Sequence, residues 1–237
     1  MANSEIIGAG QDTARPAPKK YQIIYADPPW KYSFAPSKKM IIENHYKTLS
    51  VDEICTIVPP AEKNSVLFLW STSPKLIEAI RVINAWGFSY TTHAIWDKGS
   101  RGMGYWFFGQ HEMLIVAKRG QFSPPAPAMR CGSMLRYPNQ NRLARINGKC
   151  NVHSLKPWEI RAMISRWYPE CSKLEMFARQ KTEGWDIWGN EISNDVEIEE
   201  SPVLGEESPA QDTMEICHTA PNSASTQNAQ LAMDLGL

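Results

Sequence analysis

An α/β fold built on a largely parallel sheet is what this sequence predicts, and three observations predict it. Strand-length apolar runs alternate with segments of helical spacing, the order that builds such sheets with helices against their faces. The first run, Tyr21–Ala26, has the apolar density of a buried strand and stops abruptly at Asp27-Pro28-Pro29. With 43% hydrophobic and 10% aromatic residues in 237 positions, the chain can close one domain of ordinary size with extensions.

The elements follow in order. Residues 1–20 mix Gly, Pro, Ala and charge without periodicity and read as a flexible lead-in. After the Tyr21–Ala26 strand, Ser50 and Glu53 have capping-box spacing and open a short helix to about Val58, which Pro59-Pro60 ends. Ser65–Trp70 is a second buried strand. Ser73 is placed to cap a helix, Pro74 suits its first turn and Gly87 closes it. Ser89–Trp96 alternates as a strand, and His111–Lys118 is another. Trp158–Trp167 has helical spacing, and Lys173–Ala178 and Trp185–Trp188 complete the strands. Two stretches, Asp97–Gln110 and Gly120–Val152, are long, irregular and rich in Gly, Pro, Arg and aromatic residues, which marks them as functional loops. Residues 21–191 are thus predicted as the folded domain. From residue 192 to 237 the chain becomes an acidic tail, expected to be disordered over Ser193–Ala229.

Charge and cysteine usage narrow the function classes. The net charge is zero, yet all 25 Lys and Arg precede residue 191, where only 15 Asp and Glu accompany them. The remaining 10 acids fall beyond that point with no Lys or Arg. A basic body with an acidic tail points to a polyanionic partner such as nucleic acid. Five scattered cysteines without CxxC spacing argue against a zinc knuckle and a disulfide framework, so a reduced, cytoplasmic protein is expected. No apolar run approaches the roughly 20 residues of a membrane span, and the first 20 residues carry no signal-peptide core. His45, His93, His111 and His153 fall at no metal-ligand spacing, and no metal is expected.

The chemistry concentrates at Asp27-Pro28-Pro29-Trp30. In an open α/β sheet, ligands bind beyond the carboxyl ends of the strands, which is where this segment lies. Two prolines remove two backbone donors and leave rigid carbonyls, and Asp27 adds a carboxylate. This is a cluster of acceptors beside an aromatic residue, suited to a planar ligand bearing an NH₂ group. The exocyclic amine of a nucleobase is a poor nucleophile because its lone pair is delocalised into the ring. Accepting both of its hydrogens frees that pair, and the same groups face the positive charge that develops as a methyl arrives.

These residues sit within a larger ordered set: Tyr25-Ala26-Asp27-Pro28-Pro29-Trp30, Ile95-Trp96-Asp97-Lys98, His111-Glu112, His153-Ser154-Leu155-Lys156-Pro157, Lys173-Leu174-Glu175-Met176-Phe177-Ala178-Arg179, and Gly184-Trp185 followed by Trp188-Gly189-Asn190-Glu191. In this set the chain resembles the MT-A type, or DPPW, family of adenine methyltransferases over about Tyr21 to Glu191. The resemblance implies a Rossmann-like methyltransferase fold with a permuted motif order, and S-adenosylmethionine as cofactor. It implies that Asp27 and Pro28, with Pro29 and Trp30, form the catalytic segment, and that Trp30 and Tyr32 border the base. Lys156, Glu175, Arg179, Asn190 and Glu191 match cofactor contacts, Glu191 standing where relatives often carry Gln. No glycine-rich turn follows Lys173–Phe177, so a pyrophosphate-bearing cofactor is unsupported.

Other segments complete the expectations. Lys98, Arg130 and Arg136 are expected to contact the substrate, and Arg142 and Arg145 lie in the same basic loop. Tyr105-Trp106-Phe107-Phe108 is expected either to stack on a base or to pack the core. Gln230–Leu235 resembles the short peptide by which bacterial proteins hold a sliding clamp. The expected activity is methylation of adenine N6 in DNA. The alternatives are the same reaction on RNA and a non-catalytic nucleic-acid-binding partner of the same fold.

Overall fold

A computed structural model of the chain describes residues 18–32, 48–104, 106–139 and 155–198. The lead-in through residue 17, the acidic tail beyond residue 198 with Gln230–Leu235, and His45, Tyr105, Arg142, Arg145 and His153 lie outside the described residues.

The described elements are β1 (Tyr21–Ala26), α1 (Val51–Thr56), β2 (Ala61–Ser71), α2 (Leu76–Ala85), β3 (Ser89–Asp97), β4 (His111–Arg119), β5 (Met134–Leu135), α3 (Trp158–Trp167), β6 (Lys173–Met176) and β7 (Asp186–Trp188). Seven strands form one sheet in the order β5-β3-β4-β2-β1-β6-β7. Strand β4 is antiparallel to both neighbours, β2 and β3, and every other pairing is parallel. Six strands therefore run one way and β4 alone is reversed, the α/β sheet expected.

Period-two alternation sorts the side chains into two cores. Ile24 and Ala26 of β1 and Leu67 and Leu69 of β2 face one side, where Ile54 of α1 and Ala79, Val82 and Ile83 of α2 cover them. Ile23 and Tyr25, with Val66, Phe68 and Trp70, face the other and meet Ile160, Met163 and Ile164 of α3. Central strands buried on both faces carry near-continuous apolar sequence, which is why β1 and β2 were legible as runs.

Local signals hold with some shifts. Ser50 and Glu53 form the capping box of α1. Gly87, at φ +74°, closes α2, and the Arg119 side chain donates to the Trp86 and Gly87 carbonyls there. Ser73 does not cap α2: a short 3₁₀ turn over Ser73–Lys75 precedes the helix, and the Ser73 hydroxyl instead meets His111 Nε2 at 3.0 Å. Strand β2 begins at Ala61 rather than Ser65, because Tyr21 of β1 offers it a partner there. Strand β6 ends at Met176 rather than Ala178. Phe177 takes φ +59°, and the Ala178 amide turns aside to bond the Trp188 carbonyl of β7 at 3.0 Å. The stretch after Gly120 is not wholly irregular, since β5 pairs with Ile95 and Trp96 of β3. No described helix is long and apolar enough to cross a membrane.

Candidate active site

Parallel register gathers the site. Ala26, the last residue of β1, pairs with Leu69 of β2 on one side and Met176 of β6 on the other. The segments leaving β1 and β6 therefore emerge at the same edge. Asp97, at the end of β3, pairs with His111, at the start of the reversed β4, so Lys98 and Glu112 arrive at that edge too.

Asp27 stands here, joined to Lys156 from far along the chain. The Lys156 ammonium lies 2.8 Å from Asp27 Oδ1 and 2.9 Å from Oδ2. It also lies 3.2 Å from Glu112 Oε2, and Lys98 Nζ meets the other oxygen of Glu112 at 3.1 Å. Four charges of alternating sign thus run Asp27, Lys156, Glu112, Lys98. The Lys156 side chain is only 6% exposed and that of Asp27 21%, so the pair is screened from bulk water while Asp27 still opens to the cleft.

Burial pushes the Asp27 carboxyl above the ordinary aspartate range, with Lys156 pulling against it. Burial alone disfavours the Lys156 ammonium, but the carboxylates of Asp27 and Glu112 outweigh it and hold the group above the usual lysine range. Burial likewise disfavours the Glu112 carboxylate, and Lys156 and Lys98 overcome it, leaving Glu112 below the usual glutamate range. Lys156 therefore keeps its proton, and burial makes Asp27 easier to protonate than an exposed aspartate.

The prolines brace this carboxylate. The Pro28 carbonyl accepts the Trp30 amide at 2.9 Å, and the Pro29 carbonyl accepts the Leu49 amide at 2.8 Å. The expected acceptors are thus partly used by the chain itself, and Pro28 keeps a second lone pair. Trp30 is 5% exposed, with its indole N–H on the Trp70 carbonyl at 3.1 Å, so its ring anchors the segment in the core rather than standing open beside it as a plane. The Trp70 indole in turn donates to the buried Tyr25 hydroxyl at 2.6 Å. Tyr32 bonds Thr72 at 2.7 Å, with the Lys75 ammonium over its ring.

A cleft opens beside Asp27, lined by Lys156, Glu175, Phe177 and Arg179 together with Tyr25 and Arg161. Glu175 is buried and bonds Arg161 of α3 at 2.6 Å. Burial raises its carboxyl, against the pull of the guanidinium. The structure therefore brings together Asp27, Lys156, Glu175 and Arg179 from the predicted set, and joins Lys98 through Glu112. Asn190 and Glu191 are exposed past β7 and are not among the residues lining the cleft. Arg130 and Arg136 are exposed, Arg130 holding the Pro125 carbonyl at 3.0 Å. Among the described residues, no group of three or more His, Cys, Asp or Glu is arranged to hold a metal.

Two site residues escaped the sequence reading. Glu112 was visible only as part of a motif. Arg161 was not singled out, although a lone arginine beside Ile160 on the apolar face of a helix is a sign of a buried ion pair.

The donor set fits an amino-acid-bearing cofactor: carboxylates for cationic groups, Arg179 for an anionic one and Phe177 as an apolar wall. The chain is 34% identical over 209 residues to the "Type II methyltransferase M.MunI" of Mycoplasma sp, covering 79% of this chain and 84% of that one. It is 27% identical over 188 residues to the "Putative N(6)-adenosine-methyltransferase MT-A70-like" of Medicago truncatula, and 25% over 184 to the "N(6)-adenosine-methyltransferase catalytic subunit METTL3" of Homo sapiens. Each of these two matches covers 73% of this chain but only 27% and 28% of the relative, so the chain spans about a quarter of their length. Residues 21–191, from β1 to just past β7, match the MT-A70 family, and the chain belongs to that family.

Proposed function

We propose that this protein methylates the exocyclic N6 amine of adenine in DNA. The observation that carries the reading is the Asp27 carboxylate, held at the end of β1 by the buried Lys156 and facing a cleft beyond the strand ends. When bound, S-adenosylmethionine supplies the electrophilic methyl group. Glu175 would receive its cationic groups and Arg179 its carboxylate, both lining the cleft beside Asp27.

The chain's own residues do the rest. Asp27 accepts one N6 hydrogen and the free lone pair of the Pro28 carbonyl the other, which localises the nitrogen lone pair. Lys156 fixes both oxygens of Asp27 and keeps the carboxylate charged, so its charge opposes the positive charge developing on nitrogen. Glu112 holds Lys156 in turn, and Lys98 pairs with the other oxygen of Glu112. Much of the acceleration comes from alignment of the reacting atoms. An adenine inside a duplex must first leave the stack to reach Asp27. Tyr32, Arg130 and Arg136 are proposed to contact the substrate, and Gln230–Leu235 is proposed as a tether to a sliding clamp on the strength of its sequence alone.

DNA is favoured by the type II methyltransferase matched over most of both chains. RNA is the second reading, supported by the N(6)-adenosine-methyltransferase relatives. Incubating the purified protein with labelled S-adenosylmethionine and either unmethylated plasmid DNA or a transcript, followed by mass spectrometry of the nucleosides, separates them. N6-methyldeoxyadenosine is the expected product. Asp27→Asn is expected to lower transfer by at least about 100-fold while retaining cofactor binding. Cofactor binding without transfer to either acid refutes the reading.

A further inference from the structure

Among the described residues, the loop between β3 and β4 is a feature of the catalytic edge that the reaction leaves unexplained. Trp106 is 94% exposed, Phe107 88%, Met103 62% and Phe108 58%, which settles the choice between packing and display in favour of display. Solitary exposed apolar residues are ordinary, but four within six positions mark an interaction surface.

The loop is built to present them. Lys98 and Gln110 close its base, with the Lys98 amide on the Gln110 carbonyl at 2.8 Å. The Gly102 amide donates to the Gly109 carbonyl at 2.8 Å, and the Gly109 amide to the Met103 carbonyl at 3.2 Å. A Cβ at Gly102 would stand 2.8 Å from the Gly109 carbonyl oxygen, and one at Gly104 would collide with the Phe107 carbonyl. Glycine at these positions lets the backbone fold onto itself, so the aromatic side chains point away from it. The Arg101 guanidinium lies 6.0 Å from the Phe108 ring.

Location and charge name the occupant. The loop springs from Lys98, whose ammonium reaches Glu112, which touches Lys156, which holds Asp27. Residues 98–110 carry Lys98 and Arg101 and no Asp or Glu, Lys98 being paired with Glu112 at the base. Arg136 follows directly on Leu135, which pairs with Trp96, and so lies at the same edge, exposed. An aromatic tip among cations complements a phosphate-lined duplex, with the rings meeting the bases and the cations the backbone. A second copy of this chain docking through the same surface sets cation against cation.

We propose that Trp106 and Phe107 are a wedge that enters the base stack and occupies the space an adenine vacates when it turns into the cleft. This rests on the DNA reading above and adds the step that delivers the base to Asp27. A wedge lowers the cost of extrusion and has nothing to do once the target is already unpaired and loose.

The test uses the full chain and a duplex carrying the sequence that methylation mapping defines, with the target adenine either paired to thymine or facing an abasic position. Trp106→Ala/Phe107→Ala is compared with wild type and with Trp106→Phe. On the paired duplex the double variant is expected to lose at least about tenfold in kcat/KM, the scale of one or two lost stacking contacts. On the abasic duplex it is expected to stay within about threefold of wild type, and Trp106→Phe to remain near wild type on both. Both aromatic residues are exposed, so unchanged thermal midpoints and cofactor binding are expected. Equal losses on the two duplexes, or no loss on either, overturn the wedge. A loss accompanied by a change of oligomeric mass in light scattering overturns it in favour of a protein interface. A wild type inactive on both duplexes removes the DNA reading and the wedge with it, whereas an active wild type with an indifferent variant removes the wedge alone.

Discussion

The pair between Arg161 and Glu175 offers a demanding test of how the site is held together. Its guanidinium and carboxylate are 2.6 Å apart, with side chains only 10% and 8% exposed, between α3 and β6. Arg161→Met removes one charge and leaves Glu175, among the described residues, with a hydrogen bond from the Thr182 hydroxyl at 3.5 Å. An uncompensated buried carboxylate costs about 3–5 kcal/mol. For a domain of this size that lowers the thermal midpoint by about 6–20 °C. Adding Glu175→Gln removes the orphaned charge and is expected to recover more than half of the loss. The pH dependence has a definite sign. Burial already holds the Glu175 pKa above that of the unfolded chain, and loss of Arg161 raises it further. Between the unfolded and folded values the native state binds the extra proton, so stability falls as pH rises through that window. Urea unfolding at pH 8 and pH 5.5 should therefore show the larger defect at pH 8. A single variant within about 1 kcal/mol of wild type at pH 8, or a double variant no more stable than the single, refutes the reasoning.

Three further outcomes are expected. Single-turnover methyl transfer at saturating cofactor should rise with pH through the elevated Asp27 pKa, because only the carboxylate accepts the amine hydrogen; Lys156→Met should move that acid limb to higher pH, and an unmoved limb at the parental rate contradicts the role of Lys156. Gly189→Ala drives a methyl into the carbonyl and amide of Ala178, beside the turn that carries Arg179, and should cost about 1–3 kcal/mol in denaturant unfolding together with weaker cofactor binding by calorimetry. Ser50→Ala removes the acceptor for the Glu53 amide in the capping box and should lower stability by about 1 kcal/mol with catalysis unchanged.

The elements of the core were legible because central strands must be apolar on both faces and helices must cover them. Tyr21–Ala26 and Trp158–Trp167 match their predicted bounds for that reason. Strand ends were less legible. Where β2 begins depends on Tyr21 across the sheet, and where β6 ends depends on the Trp188 carbonyl drawing Ala178 aside. The two-residue β5 exists through its pairing with β3 and has no period of its own to read.

By itself, the sequence determined that a carboxylate and two prolines stand at the mouth of the first strand, and that the chain around them alternates strand with helix. Those properties are local: they follow from residue types and their spacing. Only the tertiary structure decided which cation holds Asp27, since Lys156 lies 129 positions away and arrives just ahead of α3, which packs on the sheet. It also decided that Glu112 links Lys156 to Lys98, that Trp30 is an internal anchor, and that Trp106 faces water. Partnership and exposure depend on strand order and register, which bring distant strand ends to one edge of the sheet, and no window of neighbouring residues contains that information.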